Sequence, residues 1–250
     1  MSFKAEIDVL EGFSPITLTE MDEVKLMNRT DTKFVFRRSE LISILRTLST
    51  DYQALIIKGN LINSYNTLYF DTFNFGYYLA HHQGKGNRYK VRIRNYVESN
   101  LYFLEIKNKY KGRTDKKRIK LEGFEEEFSD RSQFFVNSVI ADEPILEAKL
   151  WNSFSRITLV NHALKERLTL DLNLGFNWND SAVDYSHIVI AELKQENVNR
   201  ESLFYSLMKS KGILPNSISK YCIGAIGLNS DLKYNNFKIK TLLINKLRNI

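Results

Sequence analysis

The sequence predicts an α+β fold, an antiparallel, barrel-like sheet with helices packed outside it. Stretches with the two-residue alternation of strands recur along most of the 250 residues, joined mainly by short turns. Only a few segments have helical spacing, so helices cover the sheet rather than form the whole core. Between Lys85 and Lys120, three consecutive strand-like segments carry aligned Lys and Arg, which gives each one cationic face.

At 43% hydrophobic and 12% aromatic content the chain can bury a full core. Three prolines and eleven glycines offer no linker. The lone Cys222 excludes an internal disulfide, and with no signal-like N-terminus a reducing, cytoplasmic setting is expected. No window has the roughly 18 apolar residues of a membrane span. A pI of about 9.3 points to an anionic partner.

In chain order, residues 1–19 mix apolar residues with acids and break at Ser14-Pro15, as a packing or capping segment does. In residues 26–36, Arg29, Asp31 and Lys33 alternate with Asn28, Thr30, Thr32 and Phe34, a strand aiming one acid and two cations the same way. Ser39 is placed to cap a core helix with Leu41, Ile44, Leu45 and Leu48 on one face. Tyr52 to Lys58 and Leu61 to Asp71 predict a hairpin turning at Gly59-Asn60, and Phe73 to His82 a short helix.

After the basic strands and an acidic stretch from Phe124 to Phe128, Ser129 opens a helix reaching Ile140. Phe154 to Val160, Leu164 to Asp171 and His187 to Lys194 are three further strands. In the last, Ile188, Ile190, Glu192 and Lys194 share a face that turns from apolar to charged partway along. A helix from Asn199 or Arg200 to Lys211 is stopped by Gly212, and Ser217 caps another through Cys222. The tail from Tyr234 to Ile250 is basic and amphipathic, and ordinary packing with a solvated face is preferred over membrane contact.

The Lys85 to Lys120 stretch holds thirteen Lys and Arg against three acids, a local net charge of +10 in a chain that carries +7. Arg88, Lys90, Arg92 and Arg94 alternate with Tyr89, Val91 and Ile93; Phe103, Glu105, Lys107 and Lys109 oppose Tyr102, Leu104 and Ile106; Lys116, Arg118 and Lys120 follow the Gly112 turn. Like charges about 5 Å apart on neighbouring strands destabilise a sheet unless an anion lies between them. A solvated face is the ordinary explanation for charge runs, but the alternation here is too regular for it. A nucleic-acid surface is the second reading, supported by Tyr89, Tyr96, Tyr102 and Phe103, but it needs stacking rings beside the cations, and these aromatics mostly occupy the opposite, apolar face. The third reading, a closed barrel with cations inside, lets a phosphate chain and a metal neutralise them.

Phosphate loops, dinucleotide-binding glycine motifs, Cys-x-x-Cys and His-Glu-x-x-His are all missing. The four histidines do not suggest a metal cage, and nothing beside Cys222 would activate it as a nucleophile.

The succession Arg29-x-Asp31-x-Lys33, Tyr69-Phe-Asp-Thr72, Lys90-x-Arg92-x-Arg94, Phe103-Leu-Glu-Ile-Lys107-x-Lys109, Lys116-x-Arg118, Arg156, Arg167-x-Thr-x-Asp171, Glu192-x-Lys194 and Ser219-Lys220-Tyr221 resembles the VTC domain. This is the polyphosphate polymerase domain of the vacuolar transporter chaperone type, in the triphosphate tunnel metalloenzyme superfamily. The resemblance spreads over residues 29 to 221.

It implies a closed antiparallel barrel of about eight strands, with residues 1–250 as a single domain and 1–25 and 234–250 as packing or capping segments. Its tunnel cations would hold the triphosphate of ATP and a polyphosphate chain, with Mn²⁺ or Mg²⁺ as cofactor. Carried over by motif, Arg92, Arg94, Lys107, Arg156, Arg167 and Lys194 are the catalytic cations. Arg29, Lys33, Lys90, Lys109, Lys116, Arg118 and Lys220 are the further phosphate ligands, and Glu192 and Glu105 the metal ligands. Where such sequences often have a Glu before the first Arg, this chain has Asn28; Asp31 is the substitute acid.

The implied reaction moves the terminal phosphoryl of ATP onto polyphosphate. Triphosphate hydrolysis on the same scaffold, with Glu105 or Glu192 as base, and polyphosphate binding without catalysis are the alternatives. No nucleic-acid partner is expected, and any membrane partner would lie outside this chain.

Overall fold

The computed structural model describes residues 3–23 and 30–248. The N-terminal part holds α1 (Lys4–Leu10), β1 (Ser14–Ile16) and α2 (Leu18–Glu23), followed by β2 (Thr30–Arg37). Helix α3 (Leu41–Leu48) buries Leu41, Ile44, Leu45 and Leu48, as its spacing demands. A 3-10 turn precedes it, so Ser39 is not its cap.

Strands β3 (Gln53–Leu55) and β4 (Ile62–Asp71) lead to α4 (Gly76–His82). The basic stretch forms β5 (Asn87–Tyr96), β6 (Leu101–Tyr110) and β7 (Arg113–Leu121), the last two joined through Lys111 and Gly112, both at positive φ. Helix α5 (Asp130–Val139) is capped by Ser129, whose side chain accepts from Ser132 N.

Next come β8 (Glu147–Asn161), β9 (Glu166–Trp178), β10 (Ser181–Tyr185) and β11 (Ile188–Gln195). Helix α6 (Leu203–Ser210) is capped by Ser202, α7 (Lys220–Leu228) by Ser219, and α8 (Lys238–Arg248) follows a 3-10 turn. The two caps replace the expected Asn199 or Arg200 and Ser217, because those residues lie in the loops leading to each helix.

Eight strands make one ladder in the order β2–β11–β9–β8–β4–β5–β6–β7, with every pairing antiparallel. The antiparallel tunnel sheet with outer helices is therefore as expected. Among the described residues, β2 and β7 do not pair, so the wall is a curled sheet with one seam rather than a barrel hydrogen-bonded all the way round. At the seam the loop before α7 takes up the free edge of β2: Asn216 N donates to Lys33 O at 2.7 Å, and Lys33 Nζ to Ile218 O at 3.4 Å.

The predicted hairpin between residues 52 and 71 does not form. Only an isolated bridge, Ile57 with Asn60, closes the turn. Beyond it β3 pairs with β1 and β8, while β4 pairs with β5 and β8. The fifteen-residue β8 is long enough to hold both along the same edge, and it pairs with β4 over all ten residues, more than the three-residue β3 could offer. β8 and β9 run well past the expected segments, and β10, missed in the sequence, turns back from β9 at Asn179-Asp180, with Asn179 at φ 49°.

The convex face is covered by α1, α3 and α6 over Phe34, Phe36, Leu159, Leu168, Leu170 and Val189, and by α5 over Leu68, Phe70, Val91, Ile93 and Leu104. The concave face is divided. Val35, Leu174, Phe176, Ile188 and Ile190 pack beneath α7, which fits closely because it has Gly224 where a Cβ would lie 2.3 Å from the Phe176 ring. The remaining half is charged.

Candidate active site

Strand alternation and register bring the predicted cations onto this charged half. Lys33 stands opposite Glu192, Asp31 opposite Lys194, and Lys194 opposite Arg167. Arg156 faces Asp171 across β8 and β9. Arg92 faces Glu105, Lys90 faces Lys107, and the row continues to Lys116 and Arg118 on β7. Helix α7 contributes Lys220. Arg29, and Asn28 beside it, lie outside the described residues.

Three carboxylates organise the cations. Glu105 is fully buried: Arg92 donates Nε and Nη2 to its Oε2 at 2.9 and 2.6 Å, and Lys116 pairs with Oε1. Burial pushes the Glu105 carboxyl up, but Arg92, Arg94 and Lys116 together hold it well below the usual range.

Asp171 takes Arg156 side-on and pairs its Oδ2 with Lys220; the two cations likewise outweigh burial and keep it ionised. Glu192 lies 2.8 Å from Lys194 Nζ and 3.6 Å from Lys33 Nζ, and it too is held well below the usual range against the effect of burial. Lys194 Nζ is also 3.5 Å from Asp31 Oδ2.

Other cations have no such partner. Among the described residues Arg94, Lys90, Lys107 and Lys109 make no ion pair. Arg94 instead donates Nε to Thr67 Oγ1 at 3.3 Å. Burial brings Lys90 down to about 8, and Lys220 to the same value despite Asp171. Lys107 is lowered well below the usual range, first by the Arg92 charge and then by burial. The site thus gathers more positive charge than its own carboxylates answer, the arrangement expected of a polyanion cradle.

A cavity of about 660 Å³ opens at the seam, lined by Asp31, Lys33, Lys90, Lys107, Lys109 and Glu192, with Arg88 and Lys240 also on its wall. Arg92, Arg94, Arg156 and Lys220 are not among its lining and continue the same concave face. Arg167 sits half-buried on that face with Nη1 3.7 Å from Met21 Sδ.

Among the described residues no three His, Cys, Asp or Glu side chains gather as an all-protein metal cage. Glu192 and Asp31, both near Lys194 Nζ, fit a divalent ion shared between one or two carboxylates and substrate phosphate oxygens, the usual mode for Mg²⁺. Glu105 fits less well: it is fully buried with Arg92 and Lys116 closed on its two oxygens, whereas Glu192 opens onto the cavity and its contact to Lys33 is a looser 3.6 Å.

Sequence reasoning missed several residues. Asp171 was visible only as the end of a motif, with no sign of which cations it would hold. Asp71, in the Tyr-Phe-Asp-Thr run, accepts from the backbone of Thr72, Tyr77 and Tyr78 and from the Tyr221 hydroxyl, tying β4 to α4 and α7. Lys240 reaches the cavity from the tail helix. His81, its Nε2 3.1 Å from Tyr89 O, is pushed down to about 3 by burial and by Lys90. Cys222 is buried with its thiol pushed up, which suits no nucleophile. No described helix is long and apolar enough to cross a membrane.

The chain is similar to several solved structures. One is a Hippeastrum protein described as having a dominant triphosphatase activity, at 16% identity and TM-score 0.49, covering 80% of this chain and 97% of that one. Another is a Vibrio parahaemolyticus protein described as an adenylate cyclase candidate, at 12% identity and TM-score 0.48, covering 79% and 99%. A third comes from Pyrococcus horikoshii, at 11% identity and TM-score 0.43, covering 78% and 95%. No curated protein matches the sequence. Residues 28–228 match the family described as the VTC domain, a span that takes in every strand from β2 to β11 and the cation-lined face of the sheet, and the chain belongs to that family.

Proposed function

We propose that the protein is a polyphosphate polymerase-type phosphotransferase, moving the terminal phosphoryl of ATP onto a polyphosphate chain inside the cationic tunnel. The observation that carries this reading is the group of cations without carboxylate partners, the buried Arg94 and the half-buried Lys90 and Lys107, on the same face as three carboxylate-held groups. Phosphoryl transfer asks the protein chiefly to align donor and acceptor and to answer charge on phosphate oxygens, and this wall supplies both.

In this reading Arg92, Arg94, Arg156 and Lys220 clamp the triphosphate, while Lys33, Lys90, Lys107 and Lys109 hold the acceptor chain in the cavity. Lys116, Arg118, Arg167, Lys194 and, by resemblance, Arg29 complete the wall. The bond from the terminal phosphorus to ADP breaks, and a bond to the terminal oxygen of the chain forms. An ionised phosphate acceptor brings no proton to remove, so no general base is required.

That suits the carboxylates present, since the cations around Glu105 and Glu192 hold both well below the usual carboxylate range and make them poor bases. Hydrolysis, which needs a base beside water, is less well served. A divalent ion, Mn²⁺ or Mg²⁺, would be held by Glu192 with Asp31 and would supply charge neutralisation on phosphate oxygens. Glu105 serves instead to fix Arg92 and Lys116. The reading treats residues 1–250 as a single tunnel domain with packing segments at either end, in a reducing, cytoplasmic setting and with any membrane partner on another chain. Its support is one sheet continuous from β2 to β7 and the lone Cys222.

The test is product analysis after incubating the pure protein with ATP and Mn²⁺. Long phosphate chains with ADP are expected. Free phosphate in step with ADP would replace the reading with a triphosphatase, and tight polyphosphate binding without turnover would reduce it to a binding module.

A further inference from the structure

Beside Arg94, Arg156 and Lys220 the floor of the concave face is aromatic. Tyr65 on β4 and Phe154 on β8 are direct register partners, and their buried rings stack 5.0 Å apart at 5°. Three cations converge on the pair. The Arg94 guanidinium carbon lies 5.6 and 5.4 Å from the centroids of Tyr65 and Phe154, and that of Arg156 lies 5.2 and 5.4 Å away. Lys220 Nζ stands 4.5 Å from the Phe154 centroid. These side chains come from β5, β8 and α7, so chain connectivity does not account for their meeting.

A carboxylate gathers cations but cancels their charge, as Asp171 does in part for Arg156 and Lys220. Arg94 has no carboxylate contact among the described residues. The negative face of an aromatic ring attracts a cation without neutralising it. Held by two rings and one carboxylate, the three cations keep two net positive charges.

We infer that Tyr65 and Phe154 are positioning residues for phosphate binding: the stacked pair fixes Arg94, Arg156 and Lys220 while leaving their excess charge for the incoming anion. This deepens the function proposed above and rests on it.

The test replaces Phe154 with phenylalanines bearing one, two and three ring fluorines, which drain the ring's negative face while nearly keeping its shape. Tripolyphosphate affinity is measured by calorimetry, with thermal unfolding in parallel. Affinity should fall stepwise, by about tenfold over the series, with Tm unchanged, as expected for a desolvated cation–π contact. Phe154→Leu and Tyr65→Leu should reach the same level, while the ring-keeping Phe154→Tyr and Tyr65→Phe stay within about twofold of the parent.

Affinity independent of fluorination, or falling only in step with Tm, overturns the inference and leaves the rings as packing. Because the fluorinated series preserves shape, it decides the matter even if the leucine variants fail to fold. Parent protein that does not bind tripolyphosphate overturns the proposed function as well; binding by the parent with a flat series overturns this inference alone.

Discussion

Arg156 and Asp171 face each other in direct register on β8 and β9, and the guanidinium meets the carboxylate side-on, Nε to Oδ1 at 2.6 Å and Nη2 to Oδ2 at 2.9 Å. Lys220 from α7 closes on the same carboxylate. One buried acid therefore joins the sheet to the helix that fills the apolar half of the concave face, and charge here has both a structural and a ligand-facing role.

Asp171→Asn should expose that double role. Removing one partner of a buried ion pair costs about 3–5 kcal/mol, and here it leaves two cations facing each other. Thermal unfolding of the variant should show a lowered Tm that tripolyphosphate restores more strongly than in the parent protein. A variant as stable as the parent, or one that tripolyphosphate does not rescue, contradicts the assignment.

The row on β5 predicts a gradient. Arg92 and Arg94 are buried on the concave face, whereas Arg88, on the cavity wall, donates Nη1 to Lys85 O at 2.6 Å. Losing one preorganised donor to developing charge costs roughly a hundredfold or more in turnover, so Arg92→Ala and Arg94→Ala should abolish measurable activity. Arg88→Ala should mainly raise KM. Steady-state kinetics on all three checks this, and equal, negligible effects would remove them from the site.

The lysines give a pH dependence whose sign follows from their direction of shift. Lys90 and Lys220 titrate at about 8 in the folded chain, below the roughly 10.4 of an unfolded lysine. As pH rises from 8 toward 10, the folded state has lost protons that the unfolded state still holds, so these groups add stability to the ligand-free protein over that window. Phosphate affinity moves the other way, weakening above pH 8 as the charges vanish. Calorimetry across pH 7 to 10 should show this fall together with proton uptake on binding, and Lys90→Arg should flatten part of it.

Glu192 and Glu105 should separate into different roles. Glu192→Gln is expected to weaken activation by Mn²⁺ or Mg²⁺ by on the order of tenfold or more, a loss at least the size seen for groups that only support metal ligands. Glu105→Gln should lower Tm and disturb Arg92 with little change in the metal concentration needed. Metal titrations of turnover decide it; a larger metal effect from Glu105→Gln would reverse the two assignments.

Much of this site was legible because a strand's side-chain period is two. The alternation of Arg88, Lys90, Arg92 and Arg94, and of Glu105, Lys107 and Lys109, fixed which residues share a face before any strand had a partner. The switch from Ile188 and Ile190 to Glu192 and Lys194 likewise marked where the apolar half of the concave face ends. The hairpin at Gly59-Asn60 misled because turn chemistry is local, whereas the edge that β3 and β4 adopt is set by a strand nearly one hundred residues later in the chain.

The sequence by itself determined most of the long strands, their charged faces and the excess of cations, since these depend on residue type and on spacing within one segment. Only the tertiary structure decided which cations are answered and which are not. Whether Asp171 holds Arg156 and Lys220, whether Glu105 is spent on Arg92 and Lys116, and whether Arg94 rests on Tyr65 and Phe154 depend on register across β4 to β9 and on where α7 docks. Arg156 with Asp171, and Arg92 and Lys116 with Glu105, meet across consecutive strands whose register the turns do not reveal, while Lys220 with Asp171 and Arg94 with Phe154 join residues far apart in the chain through packing that no local pattern encodes.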